Sequence, residues 1–211
     1  MKITCASRTA RALDIPFCVA GGLRSVAEAR AVLRAGADKV SVNSPALHDP
    51  PLVTALAAEF GSQCVVVGID SQRDADGEYR VRRFSGDAAR MHALPLRTFD
   101  WIAEAVALGA GEIVLNCIDV DGVREGFDVE QLRAARALCP VPLVASGGAG
   151  CAQHFATVFE EADVDAALAA SVFHSGALPI PELKEFLHGC GIPVRRSSSA
   201  SATMGAADVL A

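Results

Sequence analysis

The chain has 211 residues, enough for one sizeable domain. Hydrophobic residues make up 51% of it and aromatic residues only 5%, which suits buried parallel strands covered by helices. The net charge of −6 and the lack of a basic face argue against a nucleic-acid binder.

Short β-branched apolar runs alternate with longer helical stretches. Six strands are predicted, at residues 15–20, 39–43, 64–70, 112–117, 142–146 and 165–170. Helices are predicted at residues 25–35, 51–60, 97–108, 128–138, 151–160 and 180–188, and a hairpin at 73–86. This alternation indicates a parallel sheet with right-handed crossovers, as either an open doubly wound sheet or a (β/α)₈ barrel. Residues 196–211 are small and polar and are predicted to be disordered, which leaves 1–195 as the folded domain.

The cysteines, the histidines and the N-terminus indicate which compartment and which cofactors to expect. Seven cysteines run from Cys5 to Cys190 without a Cys-x-x-Cys pair, and the five histidines are scattered. A metal site needs clustered ligands, so the sequence predicts no metal and no other cofactor. The N-terminus lacks the apolar core of a signal peptide, and no apolar run is long enough to span a membrane, so we expect a cytoplasmic protein with reduced cysteines.

Two segments that begin 126 positions apart repeat one pattern. Residues 16–22 (PFCVAGG) match residues 142–148 (PLVASGG), and each leads to a helix and then to a strand ending in serine, at 38–44 (DKVSVNS) and 165–171 (DAALAAS). Glycine lets the backbone approach an anion, and free N–H groups at a helix start point at it. A single Gly-Gly pair is more often a tight turn. The duplication favours two phosphate sites on opposite sides of a barrel mouth, and hence a substrate with a phosphate at each end.

Four segments resemble the cyclase subunit of imidazole glycerol phosphate synthase. They are residues 36–44 (GADKVSVNS), 60–70 (FGSQCVVVGID), 145–150 (ASGGAG) and 166–174 (AALAASVFH). The resemblance runs from about residue 1 to Arg195. It implies a (β/α)₈ barrel that takes a bis-phosphorylated ribulosyl aminoimidazole carboxamide precursor of histidine and ammonia from a glutaminase partner. The implied products are imidazole glycerol phosphate and aminoimidazole carboxamide ribotide.

The resemblance also assigns roles to residues at the carboxyl ends of the strands. Asp70 matches one of the family's two catalytic aspartates, which implies a general acid or base; a lone strand-end Asp is otherwise more often a helix cap. One phosphate site is implied at Gly22, Asn43 and Ser44, and the other at Gly122, Gly148 and Ser171. Asn116, Asp121 and Ser146 match positions of the barrel mouth as possible substrate contacts, although Asp121 also fits an ordinary loop residue.

A charged group is implied at the amino ends of the strands. Asp38, Lys39 and Glu112 match residues near the family's glutaminase interface and ammonia entry. The implied partner is therefore a glutaminase subunit in a heterodimer. The alternative for these three residues is a solvated ion pair that adds little stability.

The resemblance further implies an incomplete barrel. The family begins with a strand ending in its other catalytic Asp, then a helix and a second strand, and Met1 aligns after them, at the start of the next helix. We therefore expect six of eight βα units, two exposed strand edges and an impaired enzyme. A misassigned start or fragmented gene, an inactive remnant and one half of a split barrel would each explain this. The intact remaining site residues favour the first.

Two other functions stay open. One is the sister isomerase that acts one step earlier on a related bis-phosphate, and the other is a non-catalytic phosphate-binding remnant. Residues 67–73 (VGIDSQR) and 170–174 (ASVFH) resemble the cyclase more than the isomerase. An aldolase-type barrel is disfavoured, because Lys39 stands at the start of its strand, on the wrong face for a Schiff base.

Overall fold

The computed structural model describes residues 3–83 and 92–195. The predicted disordered tail at 196–211 and the end of the predicted hairpin lie outside these ranges. Within the described ranges, none of the helices combines the length and the apolar character that crossing a bilayer requires.

Strands and helices alternate along the chain as expected. The strands are β1 (Cys18–Ala20), β2 (Lys39–Val42), β3 (Val65–Arg73), β4 (Tyr79–Arg83), β5 (His92–Arg97), β6 (Glu112–Cys117), β7 (Leu143–Ser146) and β8 (Ala166–Leu168). The helices are α1 (Ile3–Ala12), α2 (Val26–Arg34), α3 (Ser44–His48), α4 (Pro51–Phe60), α5 (Thr98–Ala107), α6 (Val129–Arg136), α7 (Ala152–Ala162), α8 (Ser171–His174) and α9 (Ile180–Gly189).

Six strands form one parallel sheet in the order β1-β2-β3-β6-β7-β8. This order follows the chain without reversing, whereas a doubly wound sheet reverses at a switch point. All six strands contribute residues to one cavity, so the sheet curls around it as part of a barrel wall. The prediction of an incomplete (β/α)₈-type barrel is confirmed. Among the described residues, the outer edges of β1 and β8 pair with no further strand.

The predicted hairpin is an antiparallel excursion from β3. On the β2 side of β3, past the end of its pairing with β2, Asp70 to Arg73 pair with β4, and β4 pairs with β5. The turn closes where the Asp74 N–H donates to the Glu78 carbonyl oxygen and Gly77 takes a φ of 85°. The hairpin therefore rises from the carboxyl end of the central strand.

Two helix starts show why these segments are helical. The Ser25 hydroxyl accepts a hydrogen bond from the Glu28 N–H at 3.2 Å, and the Glu28 carboxylate accepts from the Arg24 N–H at 2.6 Å. Asp128 caps α6 by accepting from the Gln131 N–H at 2.9 Å. The predicted strand at 15–20 is shorter, and pairing begins only at Cys18. Pro16 lacks the N–H that a longer ladder would need.

Apolar side chains fill the space between the sheet and its helices. Trp101 and Ile102 of α5, Leu132 of α6 and Phe155 of α7 are each at most 2% exposed. The Phe155 ring lies 5.4 Å from that of Phe127, measured between ring centroids, and packs edge to face with it. These contacts fix the helices against the outer face of the sheet.

The internal repeat is also a structural repeat. The Asp38 carboxylate accepts a hydrogen bond from the Phe17 N–H at 2.9 Å, and the Asp165 carboxylate accepts from the Leu143 N–H at 2.8 Å. Each aspartate lies just before one strand, β2 or β8. Each accepts a hydrogen bond from a backbone N–H at or just before the start of the neighbouring strand, β1 or β7. Asp165 also binds the Arg136 guanidinium at 2.7 Å.

We expect Asp165→Ala to lower the free energy of unfolding by about 1–3 kcal/mol, because it leaves the N–H of the buried Leu143 without its acceptor. Urea denaturation followed by circular dichroism measures this. Glu160→Ala, an exposed acidic residue on α7, is the matched control and should change stability by less than about 0.5 kcal/mol. Equal midpoints for the two variants would contradict the role given to Asp165.

Candidate functional site

The carboxyl ends of the six parallel strands share one rim. Gly21 and Gly22 follow β1, and Gly147 and Gly148 follow β7. All four have positive φ, from 73° to 100°, a backbone conformation that other residues rarely adopt. The two predicted glycine turns therefore lie on the same rim and have the same kind of backbone.

Six predicted site residues line a single cavity of about 930 Å³: Gly22, Asn43, Ser44, Asp70, Glu112 and Asn116. Asn43 directly follows β2, and Ser44 opens α3. The cavity continues along the inner face of the sheet, past Ser41 and Gly68, as far as Glu112 near the amino ends of the strands. The structure thus brings the first predicted phosphate site and the predicted catalytic carboxylate together.

Asp70 lies on β3 in the middle of the sheet and is 8% exposed. One of its carboxylate oxygens accepts a hydrogen bond from Asn43 Nδ2 at 2.6 Å, and the other accepts from Asn116 Nδ2 at 2.9 Å. A carboxylate of such low exposure needs donors of this kind, since burying it without them is costly. One donor directly follows β2 and the other belongs to β6, the two parallel strands that flank β3.

The second glycine turn is enclosed by the loop after β6. The Gly126 N–H donates to the Gly148 carbonyl oxygen at 2.9 Å. A Cβ placed on Gly148 would lie 1.9 Å from the Gly126 carbonyl oxygen, and one on Gly150 would lie 2.0 Å from that of Arg124. Both positions therefore require glycine, because two backbones approach each other there.

The remaining predicted residues of this half are distributed around that turn. Ser146 ends β7 in register with Asn116, and Ser171 is exposed and opens α8. Asp121 and Gly122 lie in the exposed loop, with Asp121 Cβ 3.5 Å from the position of a Cβ on Gly147. These residues share the rim with Asp70 but do not line its cavity.

The predicted charged group lies at the opposite ends of the strands. Lys39 Nζ and a Glu112 carboxylate oxygen form an ion pair between β2 and β6. Asp38 is next to Lys39 in sequence, but its carboxylate binds the Phe17 N–H. The structure thus pairs two of the three residues and gives Asp38 a backbone contact of its own.

Sequence reasoning missed two features of the site. Arg83 of β4 lines the cavity, because the hairpin folds back beside Asp70. Behind Asp70, Ser71 Oγ lies 2.7 Å from Thr98 Oγ1 and accepts a hydrogen bond from Gln131 Nε2. No sequence signal pointed to either feature, since both depend on which strands and helices pack together.

Comparisons with known proteins agree with the geometry. The family described as "Histidine biosynthesis protein" matches residues 1–179. Imidazole glycerol phosphate synthase subunit HisF of Xanthomonas campestris pv. campestris (strain B100) is 68% identical over 188 residues, which are 89% of this chain and 73% of that protein. The subunit of the same name from Stenotrophomonas maltophilia (strain R551-3) is 69% identical over 188 residues, with the same coverage of each chain. That from Xanthomonas oryzae pv. oryzae (strain MAFF 311018) is 67% identical over 192 residues, 91% of this chain and 74% of the relative.

We expect Gly148→Ala to displace the loop after β6, because its Cβ would overlap the Gly126 carbonyl oxygen. The free energy of unfolding should fall by about 1–3 kcal/mol from the backbone conformation alone. Trypsin should cleave after the exposed Arg124 faster than in the parent protein. Gly189→Ala, where a Cβ would meet nothing within 4 Å, is the control. Unchanged cleavage in Gly148→Ala would show that the loop does not depend on this contact.

We expect Cys18 to react slowly with iodoacetamide at pH 8.5. It belongs to the edge strand β1, and part of its surface is open to solvent, but it lines the cavity. There, partial burial and the Glu112 carboxylate raise the pKa of its thiol to about 11, against the opposing effect of Lys39. Roughly a hundredfold less thiolate is then present than for an ordinary cysteine. Peptide mass spectrometry compares Cys18 with the exposed Cys151 in one sample. Glu112→Gln should accelerate the reaction of Cys18, and equal rates in both proteins would contradict the assigned cause.

Proposed function

The chain belongs to the histidine biosynthesis protein family, and we propose that it acts as the cyclase subunit of an imidazole glycerol phosphate synthase. In that reaction the nitrogen of ammonia enters the imidazole ring as the precursor is cleaved to imidazole glycerol phosphate and aminoimidazole carboxamide ribotide. Identities of 67–69% with subunits of that name support the proposal.

The position of Asp70 between the two glycine turns is the observation that carries this proposal. In the order β1-β2-β3-β6-β7, β3 lies two strand steps from β1 and two from β7. At about 4.8 Å per step, each glycine turn lies roughly 10 Å along the rim from the central carboxylate. A substrate with a phosphate at each end, bound at both turns, would place its middle at Asp70.

Asp70 is the group to which we assign proton transfer. Its carboxylate faces the cavity and is 8% exposed, so a bound substrate would displace most of its remaining contact with water. Each of its oxygens accepts a hydrogen bond from a side-chain amide, which suits an ionised carboxylate that can accept a proton. Proton abstraction during ring closure, followed by return of the proton on cleavage, fits such a group.

We assign phosphate binding to the backbone of the two turns. Gly22 and Ser44 would hold one phosphate, and Gly122, Gly148 and Ser171 the other. In each half, the positive-φ glycines turn the backbone at the rim, and a serine opens the short helix that follows the next strand. Backbone N–H groups at helix starts suit anions without requiring a cation.

The partner would be a glutaminase subunit that docks at the amino ends of the strands. The relatives' name "subunit" supports a complex with a second chain. The cavity extends from Glu112 at that end to Asp70 at the rim, which would give ammonia a path to the reaction. All seven cysteines are free, which is consistent with the reducing cytoplasm as the compartment.

The test is to incubate the purified chain with the bis-phosphate precursor and an ammonium salt and to follow both products by liquid chromatography. Asp70→Asn should lower kcat at least ~10²-fold, because the variant cannot exchange a proton. Glu160→Gln, an exposed carboxylate on α7, should leave kcat unchanged. Isomerised substrate without ring closure would instead identify the sister isomerase, and binding without turnover would identify a phosphate-binding remnant.

A further inference from the structure

The chain contains only two asparagines, Asn43 and Asn116. Both donate through their side-chain amides to the same carboxylate, that of Asp70, and each binds a different oxygen of it. Asn43 comes from the end of β2 and Asn116 from β6, so the carboxylate is held from both sides.

The strand register produces this arrangement. Asp70 and Asn116 are paired in the parallel ladder between β3 and β6. Gly68, two residues before Asp70 on β3, leaves room for Asn43, whose Cβ lies 3.6 Å from where a Cβ on Gly68 would be. A large side chain at position 68 would occupy the space that the Asn43 amide crosses to reach Asp70.

The side chain of Asn43 also does not cap α3, although its position favours that contact. It is the residue that precedes α3, where an asparagine oxygen commonly accepts a backbone N–H of the helix. Here the side chain makes no such cap. Its Oδ1 is buried and has no hydrogen-bond partner within the described ranges. The amide orientation is therefore explained by its donation to Asp70.

We propose that Asn43 and Asn116 form an amide clamp that orients the Asp70 carboxylate, and that the side chain of Asn43 positions this carboxylate rather than binding phosphate. This inference rests on the proposed function of Asp70. It confines any phosphate-binding role of Asn43, which the sequence resemblance implied, to the backbone of this residue.

The internal repeat supports the separation of the two roles. Ser44 at the start of α3 corresponds to Ser171 at the start of α8, whereas Asn43 corresponds to Ala170. The second half thus keeps the serine and the glycine turn without any amide at this position. If the two halves bind phosphate alike, an asparagine side chain is not needed for it.

Electrostatics favour the same separation. A phosphate oxygen bound to the second hydrogen of Asn43 Nδ2 would lie roughly 5 Å from the carboxylate oxygen that the first hydrogen binds. Two anions at that distance repel each other. The backbone N–H groups at Gly22 and Ser44 would bind a phosphate without sharing a donor with Asp70.

One experiment tests the clamp without requiring activity. Asparagine labelled with ¹⁵N in its side chain reports on only two amide groups in this chain. We expect Asp70→Ser to shift both Asn43 and Asn116 amide signals, and saturating inorganic phosphate to shift neither by a comparable amount. A large phosphate-induced shift of the Asn43 signal, with no response to Asp70→Ser, would overturn the proposal.

Kinetics separate positioning from phosphate binding. Asn43→Ala and Asn116→Ala should each lower kcat by about 10- to 100-fold and change KM for the precursor less than threefold. Ser44→Ala should instead raise KM, because it alters the phosphate site. Gln63→Ala, an amide in the turn just before β3, is the control and should change neither constant. A rise in KM of tenfold or more with unchanged kcat in Asn43→Ala would return this residue to the phosphate site.

The two experiments also separate failure of the clamp from failure of the proposed function. If the parent chain forms no product, or Asp70→Asn is fully active, the proposed function fails, and the amide spectrum alone still decides whether the clamp exists. If Asp70→Asn is inactive while both asparagine variants keep full kcat, the proposed function stands and the clamp is wrong.

Discussion

The site depends on the parallel register of β3 with its neighbours β2 and β6. That register pairs Asp70 with Asn116 and brings Asn43 alongside, so a carboxylate that is 8% exposed receives donors from both sides. Slipping β3 by one residue would turn Asp70 toward the helices and an apolar side chain toward the cavity. The buried Val65 and Val67, which face the helix layer, oppose such a slip. The packing of the outer face of β3 against the helices therefore keeps Asp70 on the inner face, toward the cavity.

A second set of polar contacts holds the same strand from behind. Ser71 follows Asp70 and points the other way, where it meets Thr98 at the start of α5 and Gln131 in α6, all at most 1% exposed. Asp128 caps α6 and accepts a hydrogen bond from Tyr79, whose pKa burial and Asp128 raise to about 12. Because buried polar groups are costly unless paired, this network specifies one arrangement of strand, hairpin and helices. Asp70 thus lies on a strand fixed on both faces.

The sequence was sufficient for the parts of the fold that depend on local pattern. The alternation of apolar runs and helices predicted the six parallel strands. The repeated Gly-Gly turns predicted two turns of similar backbone conformation on one rim, because the carboxyl ends of parallel strands lie at the same edge of a sheet. The partners of Asp70 could not be predicted this way. Asn43 lies in a segment that matches its repeat closely, and only the register against β3 shows that its amide turns toward the carboxylate. Arg83 escaped prediction for a similar reason, since its place depends on how the hairpin folds back.

The divergence between the two halves explains how one duplicated framework serves an asymmetric reaction. Asp38 and Asp165 keep the same backbone contact in both halves, which the fold requires twice. Along one face of β2 and its extension, the alternate residues Lys39, Ser41 and Asn43 are polar, whereas the corresponding Ala166, Leu168 and Ala170 at β8 are small or apolar. Of the two repeated strands, β2 adjoins β3 and β8 does not, so only the face of β2 can contact Glu112 at one end of the cavity and Asp70 at the other. On the proposed function, phosphate binding at the rim would remain symmetric while the reacting groups gather beside one strand, because strand order decides which copy of the repeat reaches the Asp70 carboxylate.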